Sequence, residues 1–322
     1  MKWISPKKLR QLGILGMNSR NIDYIGRSNN RSLFPLVDDK LKTKKLAEKF
    51  GMSVPRLFAV INNQHDVQLL ETQLSGRDKF VIKPAQGSGG KGILVISERE
   101  GDRYIKSSGA SLELRDLKHH ATNILSGLFS LGGRPDVVMI EDMIVFDPIF
   151  SHYSYEGVPD IRVIVYKGYP VMAMLRCSTH ESDGKANLHQ GAVGVGIDMG
   201  TGKSLFAVQN NIKIQKHPNT GFSFDDLIIP GWDHILHLAS RCYEMVGLGY
   251  FGADIVLDKN KGPMILELNA RPGLAIQVAN QAGLAKRLKL VDQHILPTPR
   301  DVDERVALSK QLFAKEQAAI NV

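Results

Sequence analysis

Gly252-Ala253-Asp254-Ile255-Val256-Leu257, a polar turn from Asp258 to Gly262, and Pro263-Met264-Ile265-Leu266-Glu267-Leu268-Asn269-Ala270-Arg271-Pro272-Gly273 form the stretch that decides the fold. Two apolar runs joined by a short polar turn predict an antiparallel hairpin. Side chains alternate between faces along a strand, so Glu267 and Asn269 share one face and Asp254 on the partner strand can lie opposite them. Three oxygen ligands gathered in this way suit a hard cation. Mg²⁺ seldom has an all-protein cage and completes its shell with water and phosphate oxygens, so the implied partner is a nucleotide. The plain alternative is a solvated hairpin with incidental acids, and the rest of the chain decides between them.

Upstream, Phe80-Val81-Ile82-Lys83-Pro84 runs into Ala85-Gln86-Gly87-Ser88-Gly89-Gly90-Lys91-Gly92, after which Ile93 to Ile96 resumes as a strand. Walker loops and dinucleotide fingerprints need a helix directly after their glycines. Here β-branched residues follow and no Ser or Thr succeeds Lys91, so neither device applies. A flexible strand-to-strand loop with four glycines in six residues exceeds what a turn needs. It is suited to closing over phosphates with backbone N–H groups and Lys91.

The 322 residues are 43% hydrophobic and 23% charged, enough for a sizeable core in one large or two to three small units. The formal charge of +8 favours anionic partners: nucleotide, acidic substrate, nucleic acid or a membrane surface. Basic residues without interleaved aromatics argue against a single-strand nucleic-acid binder, so no nucleic-acid partner is expected. No apolar run approaches the roughly 18 residues of a membrane span, and the start lacks a signal-peptide core, so a cytoplasmic location is expected. Cys177 and Cys242 are too few for a disulfide framework and read as buried thiols. The histidines show no zinc-ligand spacing.

Pro6 to Leu15 reads as a short basic helix, and Asp38 to Phe50 as a lysine-rich helix ended by Gly51 and Pro55. Residues 54–61 and 79–83 read as strands flanking a helix. Val137 to Ile144 is an apolar strand ending in acids, suited to a hinge whose backbone reads an adenine edge. Asp160 to Tyr166 turns at Lys167–Pro170 into Val171 to Arg176, a hairpin with charged ends. Periodicity does not separate cleft-facing from solvent-facing charges there.

Five ordered pieces together resemble the ATP-grasp superfamily, in its glutamate ligase branch of ribosomal-protein modification enzymes and the related sugar-transfer-associated proteins. They are Asp39-Lys40 with its basic helix; Lys83 before the glycine loop; Glu141-Asp142; Asp160-Ile161-Arg162 through Arg176 to Asn187-Leu188-His189-Gln190-Gly191; and the hairpin ending in Glu267-Leu268-Asn269-Ala270-Arg271-Pro272-Gly273. The match runs from about Leu36 to Gln277. The resemblance implies an α+β fold in which two lobes clamp ATP. Lys40 and Lys83 would hold phosphates, Gln86 to Gly92 would be the lid, Glu141, Asp142, Met143 and Ile144 would line the adenine site, and Asp160 would accept from ribose. Asp254, Glu267 and Asn269 would hold one or two Mg²⁺, or Mn²⁺ in their place.

The family reaction activates a carboxylate as an acyl phosphate that an amine attacks, giving an amide, ADP and phosphate. Arg176 would stabilise the oxyanion and acyl phosphate, its fork matching oxygen pairs; an ion pair with Asp160 or Glu267 is its structural alternative. Lys185 stands where the branch has an arginine, so its phosphate contact would be a point charge, and with Asn187 it completes the catalytic set. The segment Val145–Pro159 is longer than usual and reads as a surface insertion, with a substrate-selecting loop as the alternative. Only a short N-terminal segment (1–36) precedes the first lobe (37–137) and second lobe (138–283), and residues 284–322 read as a solvated helical tail. A protein partner or second copy would then supply the missing N-terminal domain, with peptide or small-molecule carboxylates and amines as substrates; membrane contact stays open. A phosphotransferase acting on a hydroxyl and a nucleotide-binding regulator without turnover are the rival readings.

Overall fold

Apolar runs bounded by glycine and polar turns assemble into two antiparallel-paired sheets, in a computed structural model that describes residues 4–87 and 89–315. The first sheet contains β1 (Leu57–Ile61), β2 (Phe80–Pro84), β3 (Leu94–Glu100), β4 (Arg103–Lys106), β5 (Ser111–Leu112) and β6 (Val138–Glu141), in the order β1-β6-β2-β3-β4-β5. Helix Leu114–Leu125 packs on it with Leu117, Ala121 and Ile124, the spacing of one helical face. This smaller core also takes Phe80, Ile82, Tyr104 and Ile140.

The second sheet holds β7 (Asp160–Tyr166), β8 (Tyr169–Cys177), β9 (Val193–Ile197), β10 (Ser204–Gln209), β11 (Ile212–Ile214), β12 (Tyr250–Asp258) and β13 (Gly262–Asn269). Its order is β11-β10-β9-β8-β7-β12-β13. β12 is buried along its whole length, as is expected of a strand flanked by two others and covered on both faces. Helix Trp232–Val246 contributes Ile235, Leu236, Ala239 and Cys242 to the larger core. The two lobes give the expected α+β architecture.

Three boundaries differ from the sequence reading. β6 pairs with both β1 and β2, so the strand after residue 137 belongs to the first lobe, which ends at Glu141. Residues 4–36 are not a separate segment. Tyr24 sits edge-on to Tyr166 at 5.5 Å, and Asn29 exchanges hydrogen bonds with the Tyr250 backbone at 2.7 and 2.8 Å. The C-terminal region is no solvated tail over its described part: helices Leu284–His294 and Val302–Phe313 bury Leu284, Leu288, Val291, Val306 and Phe313 in the same core. Residues 316–322 of the expected tail lie outside the described residues. The 145–159 segment is also anchored, through buried Phe150 and Tyr153.

Candidate functional site

The decisive hairpin has the anticipated register. Asp254 pairs with Glu267 and Gly252 with Asn269, after which the register shifts so that Ile255 faces Ile265 and Leu266 is the extra residue of a bulge. A Cβ on Gly252 would lie 2.8 Å from Pro272, so only glycine lets the Asn-Ala-Arg-Pro-Gly turn close against β12.

The environment of Asp254 departs from expectation. Arg162, its cross-strand neighbour on β7, donates to both carboxylate oxygens at 2.6 and 2.5 Å, and Arg176 donates to one of them at 2.7 Å. Burial alone would raise this carboxyl, yet the two guanidiniums outweigh it and hold it at about 2. Asp254, 3% exposed, thus anchors two arginines. Glu267 differs: its side chain is 34% exposed and among the described residues its one ion pair is with Lys40, at 3.8 Å. The Asn269 amide nitrogen donates to Asp254 at 3.3 Å, leaving its oxygen without a donor among the described residues. Glu267 and Asn269 therefore fit a hard cation that takes its other ligands from water and phosphates, whereas Asp254 would have to give up an arginine contact to join them.

Asp160 is likewise not an open acceptor for ribose. It is buried and faces Arg176 in register, and both its oxygens accept from that guanidinium, at 2.5 and 2.7 Å. Burial, reinforced by neighbouring Asp254 and opposed by Arg176, pushes its carboxyl up. Arg176 consequently makes both structural ion pairs, with Asp160 and Asp254, and none with Glu267.

Across the cleft, Asp39 caps helix Lys40–Lys49 by accepting from the Leu41 and Lys42 amides at 3.0 and 3.1 Å. That cap sets Lys40 in the first turn, where its ammonium donates to the Gly87 carbonyl at 2.7 Å while facing Glu267. One turn on, Lys44 joins Lys83 on Glu141, which is only 2% exposed, with Lys44 2.5 Å from one carboxylate oxygen and Lys83 on the other. Glu141 is therefore the shared counter-ion of two buried lysines, not a free adenine contact. Sequence reasoning missed Lys44, although its i, i+4 spacing from Lys40 puts the two on one helix face.

In the glycine loop, Gly89, Gly90 and Gly92 have φ of +62°, +75° and +76°, and Lys91 is exposed. Ser88 lies outside the described residues. A Cβ on Gly92 would fall 2.6 Å from the Phe129 ring. Asp136, also missed, ties the base of the glycine loop by accepting from the Gln86 amide at 2.9 Å and the Ser130 hydroxyl at 2.6 Å. Lys185 stands beside Gly90 and pairs with Asp183 at 2.9 Å. Asn187 is taken up in its own turn, accepting from the His189 amide at 3.1 Å. In the connection after β6, Asp142 pairs with Lys261 at 2.6 Å, while no hydrogen bond among the described residues engages the backbone of Met143 or Ile144.

Lys40, Lys44, Lys83, Arg162 and Arg176 outnumber Glu141, Asp160, Asp254 and Glu267 by one, so the cleft favours an anion even with every carboxylate ionised. Two lobes meeting in such a cleft define an ATP-grasp protein. Residues 19–293 match the family described as sugar-transfer associated ATP-grasp, and the chain belongs to that family.

The chain is 24% identical over 236 residues to a probable alpha-L-glutamate ligase of Maridesulfovibrio salexigens, covering 73% of this chain and 56% of the relative. It is 23% identical over 304 residues to a cyanophycin synthetase of Synechocystis sp., covering 88% of this chain and 33% of the relative. It thus spans between a third and just over half of those proteins. Similar solved structures include a D-alanine–D-alanine ligase from Bacillus anthracis complexed with ATP, at 13% identity and a TM-score of 0.43, covering 86% of this chain and 67% of that one. A RimK domain ATP-grasp protein of Sphaerobacter thermophilus is similar at 12% identity and a TM-score of 0.45, covering 81% and 69%. No helix among the described residues is long and apolar enough to cross a membrane.

Proposed function

We propose that the protein is an ATP- and Mg²⁺-dependent carboxylate–amine ligase, with an amino acid such as glutamate among its substrates. The observation that carries this reading is the position of Lys40, hydrogen-bonded to the Gly87 carbonyl of the lid and 3.8 Å from Glu267 of the metal-type hairpin. Phosphate-binding and cation-binding elements thereby converge on one cleft. Lys83 and Lys40 hold phosphate oxygens, the lid N–H groups cover them, and the unengaged backbone of Met143 and Ile144 reads the adenine edge. Bound Mg²⁺, held by Glu267 and Asn269, supplies charge neutralisation to the phosphates.

A substrate carboxylate oxygen attacks the γ-phosphorus and ADP departs; the amine then attacks the acyl carbon, an amide forms and phosphate leaves. Arg176, fixed by Asp160 and Asp254, is oriented to stabilise the negative charge that builds up in both steps, with Lys185 beside the lid as a further phosphate contact.

The test is ADP and phosphate release from Mg-ATP with pooled amino acids, small carboxylates and peptides, with Glu267→Gln as control. Pool-dependent release that vanishes in a folded Glu267→Gln variant, with an amide found by mass spectrometry, supports the ligase. A phosphate ester instead of an amide identifies a phosphotransferase, and ATP binding without release in any pool supports a regulator.

A further inference from the structure

The N-terminal stretch 4–12 has a property that the catalytic reading does not use: every residue in it is exposed, and helix Pro6–Gln11 buries none of its side chains. Six-residue helices are marginal without packing, so an uncovered one carrying apolar side chains calls for an explanation. Ile4, Leu9 and Leu12 are 53, 36 and 47% exposed, and Met17 and Ile22 just beyond are 64 and 65% exposed. Among these apolar tips stand Lys7, Lys8 and Arg10. Residues 4–34 contain six basic side chains and a single acid, Asp23.

The same surface continues on the C-terminal side of the chain. The Ala285 amide donates to the Gly13 carbonyl at 2.9 Å, bringing Lys286 and Lys289 of helix Leu284–His294 alongside the N-terminal stretch. Leu9, Arg10 and Met17 together with Tyr166 and Lys289 line an open groove of about 1230 Å³. Its two acids are engaged: Asp23 with the Ser19 hydroxyl and Arg27, and Asp292 with Tyr166 and Lys167. Among the described residues Lys7, Lys8, Arg10, Lys286 and Lys289 form no ion pair with a carboxylate.

We infer that this face docks on an anionic lipid bilayer. Exposed apolar tips interleaved with unpaired cations are the combination an interfacial segment needs: the apolar groups enter the headgroup boundary while the cations meet lipid phosphates. A soluble acidic peptide would use the cations and the groove, but would leave Ile4, Leu12 and Ile22 in water. The face lies by Tyr166 and Lys167, at the far end of β7 from Asp160, about 20 Å along the strand, so docking leaves the ATP cleft accessible.

The test is flotation of the full chain with vesicles of phosphatidylcholine alone and with added phosphatidylglycerol, at low and high salt. The expected result is retention only on the anionic vesicles, reversed by salt. Leu9→Ser/Leu12→Ser/Met17→Ser and Lys7→Gln/Lys8→Gln/Arg10→Gln should each cut retention roughly tenfold or more. Both replace exposed side chains only, so ATP affinity and melting temperature should remain at the wild-type values, which separates this result from a failure of the ligase reading. Absence of retention on anionic vesicles, equal retention on phosphatidylcholine, undiminished retention of either triple variant, or displacement by polyglutamate with equal strength in the Leu9→Ser/Leu12→Ser/Met17→Ser variant would overturn the inference.

Discussion

Glu141→Gln leaves the Lys44 and Lys83 ammonium groups, both with 6% exposed side chains, without the carboxylate they share. Breaking a buried pair by removing one partner costs about 3–5 kcal/mol, because the desolvation of the remaining ion is no longer offset. A ceiling follows from deprotonation: a lysine of ordinary pKa gives up its proton at pH 7.5 for about 4 kcal/mol. One unpaired lysine should therefore cost no more than that, and the other repels it. The expected loss is about 3–5 kcal/mol out of the roughly 5–15 typical of a folded protein. Urea denaturation followed by far-ultraviolet circular dichroism measures it. The pH dependence gives a second readout. Burial lowers the Lys44 pKa in the wild type, against the attraction of Glu141. Losing Glu141 lowers it further, so the folded variant binds fewer protons than its unfolded chain and its stability should rise between pH 7 and 9. Adding Lys44→Met removes one orphaned charge and should recover at least about 1 kcal/mol. A loss below about 1 kcal/mol, or a double variant no more stable than the single one, refutes the account of Glu141 as a counter-ion.

Lys83→Ala retains a neutral Lys44–Glu141 pair, so the protein should fold while ATP binding weakens at least tenfold; calorimetry giving an unaltered affinity would remove Lys83 from the site. Gly92→Ala combines a left-handed φ with a clash against Phe129 and should cost about 1–3 kcal/mol, read as a lower melting temperature with weaker nucleotide binding. Wild-type values for both would mean that the glycine-loop backbone is unstrained. Burial pushes the Cys177 and Cys242 thiols up, so a thiol-specific disulfide reagent at pH 8 should react with neither in the native state and with both in denaturant. Rapid native labelling would contradict their placement.

The β12–β13 hairpin and the glycine loop were legible because both depend on local rules: alternation along a strand, turn composition, and the absence of a helix after the glycines. Partners across the sheet were not. Period two puts Asp254 and Glu267 on one face but does not reveal that Arg162 lies on the other side of Asp254, which changes it from an open ligand into an arginine anchor. The lobe boundary was misread by four residues for the same reason, since β6 finds its partners about 55 and 80 residues upstream. Residues 284–322 read as a solvated tail, whereas Leu284, Leu288 and Val291 on one face of the first of its helices complete the core.

The pairing of Leu57 with Glu141 has a bearing on how the chain is assembled. The smaller lobe begins and ends on adjacent strands, so topologically it is a guest inserted into a host whose own parts lie before residue 57 and after residue 141. Before its core can close, the host must join these two parts across a loop of about 85 residues. Replacing the guest with a turn of about five residues shortens that loop by roughly four doublings and reduces the closure entropy by about 2.5 kcal/mol. Sequence order and folding order need not coincide here: the guest is contiguous and can form as a unit, and once it has formed it holds the two parts of the host together.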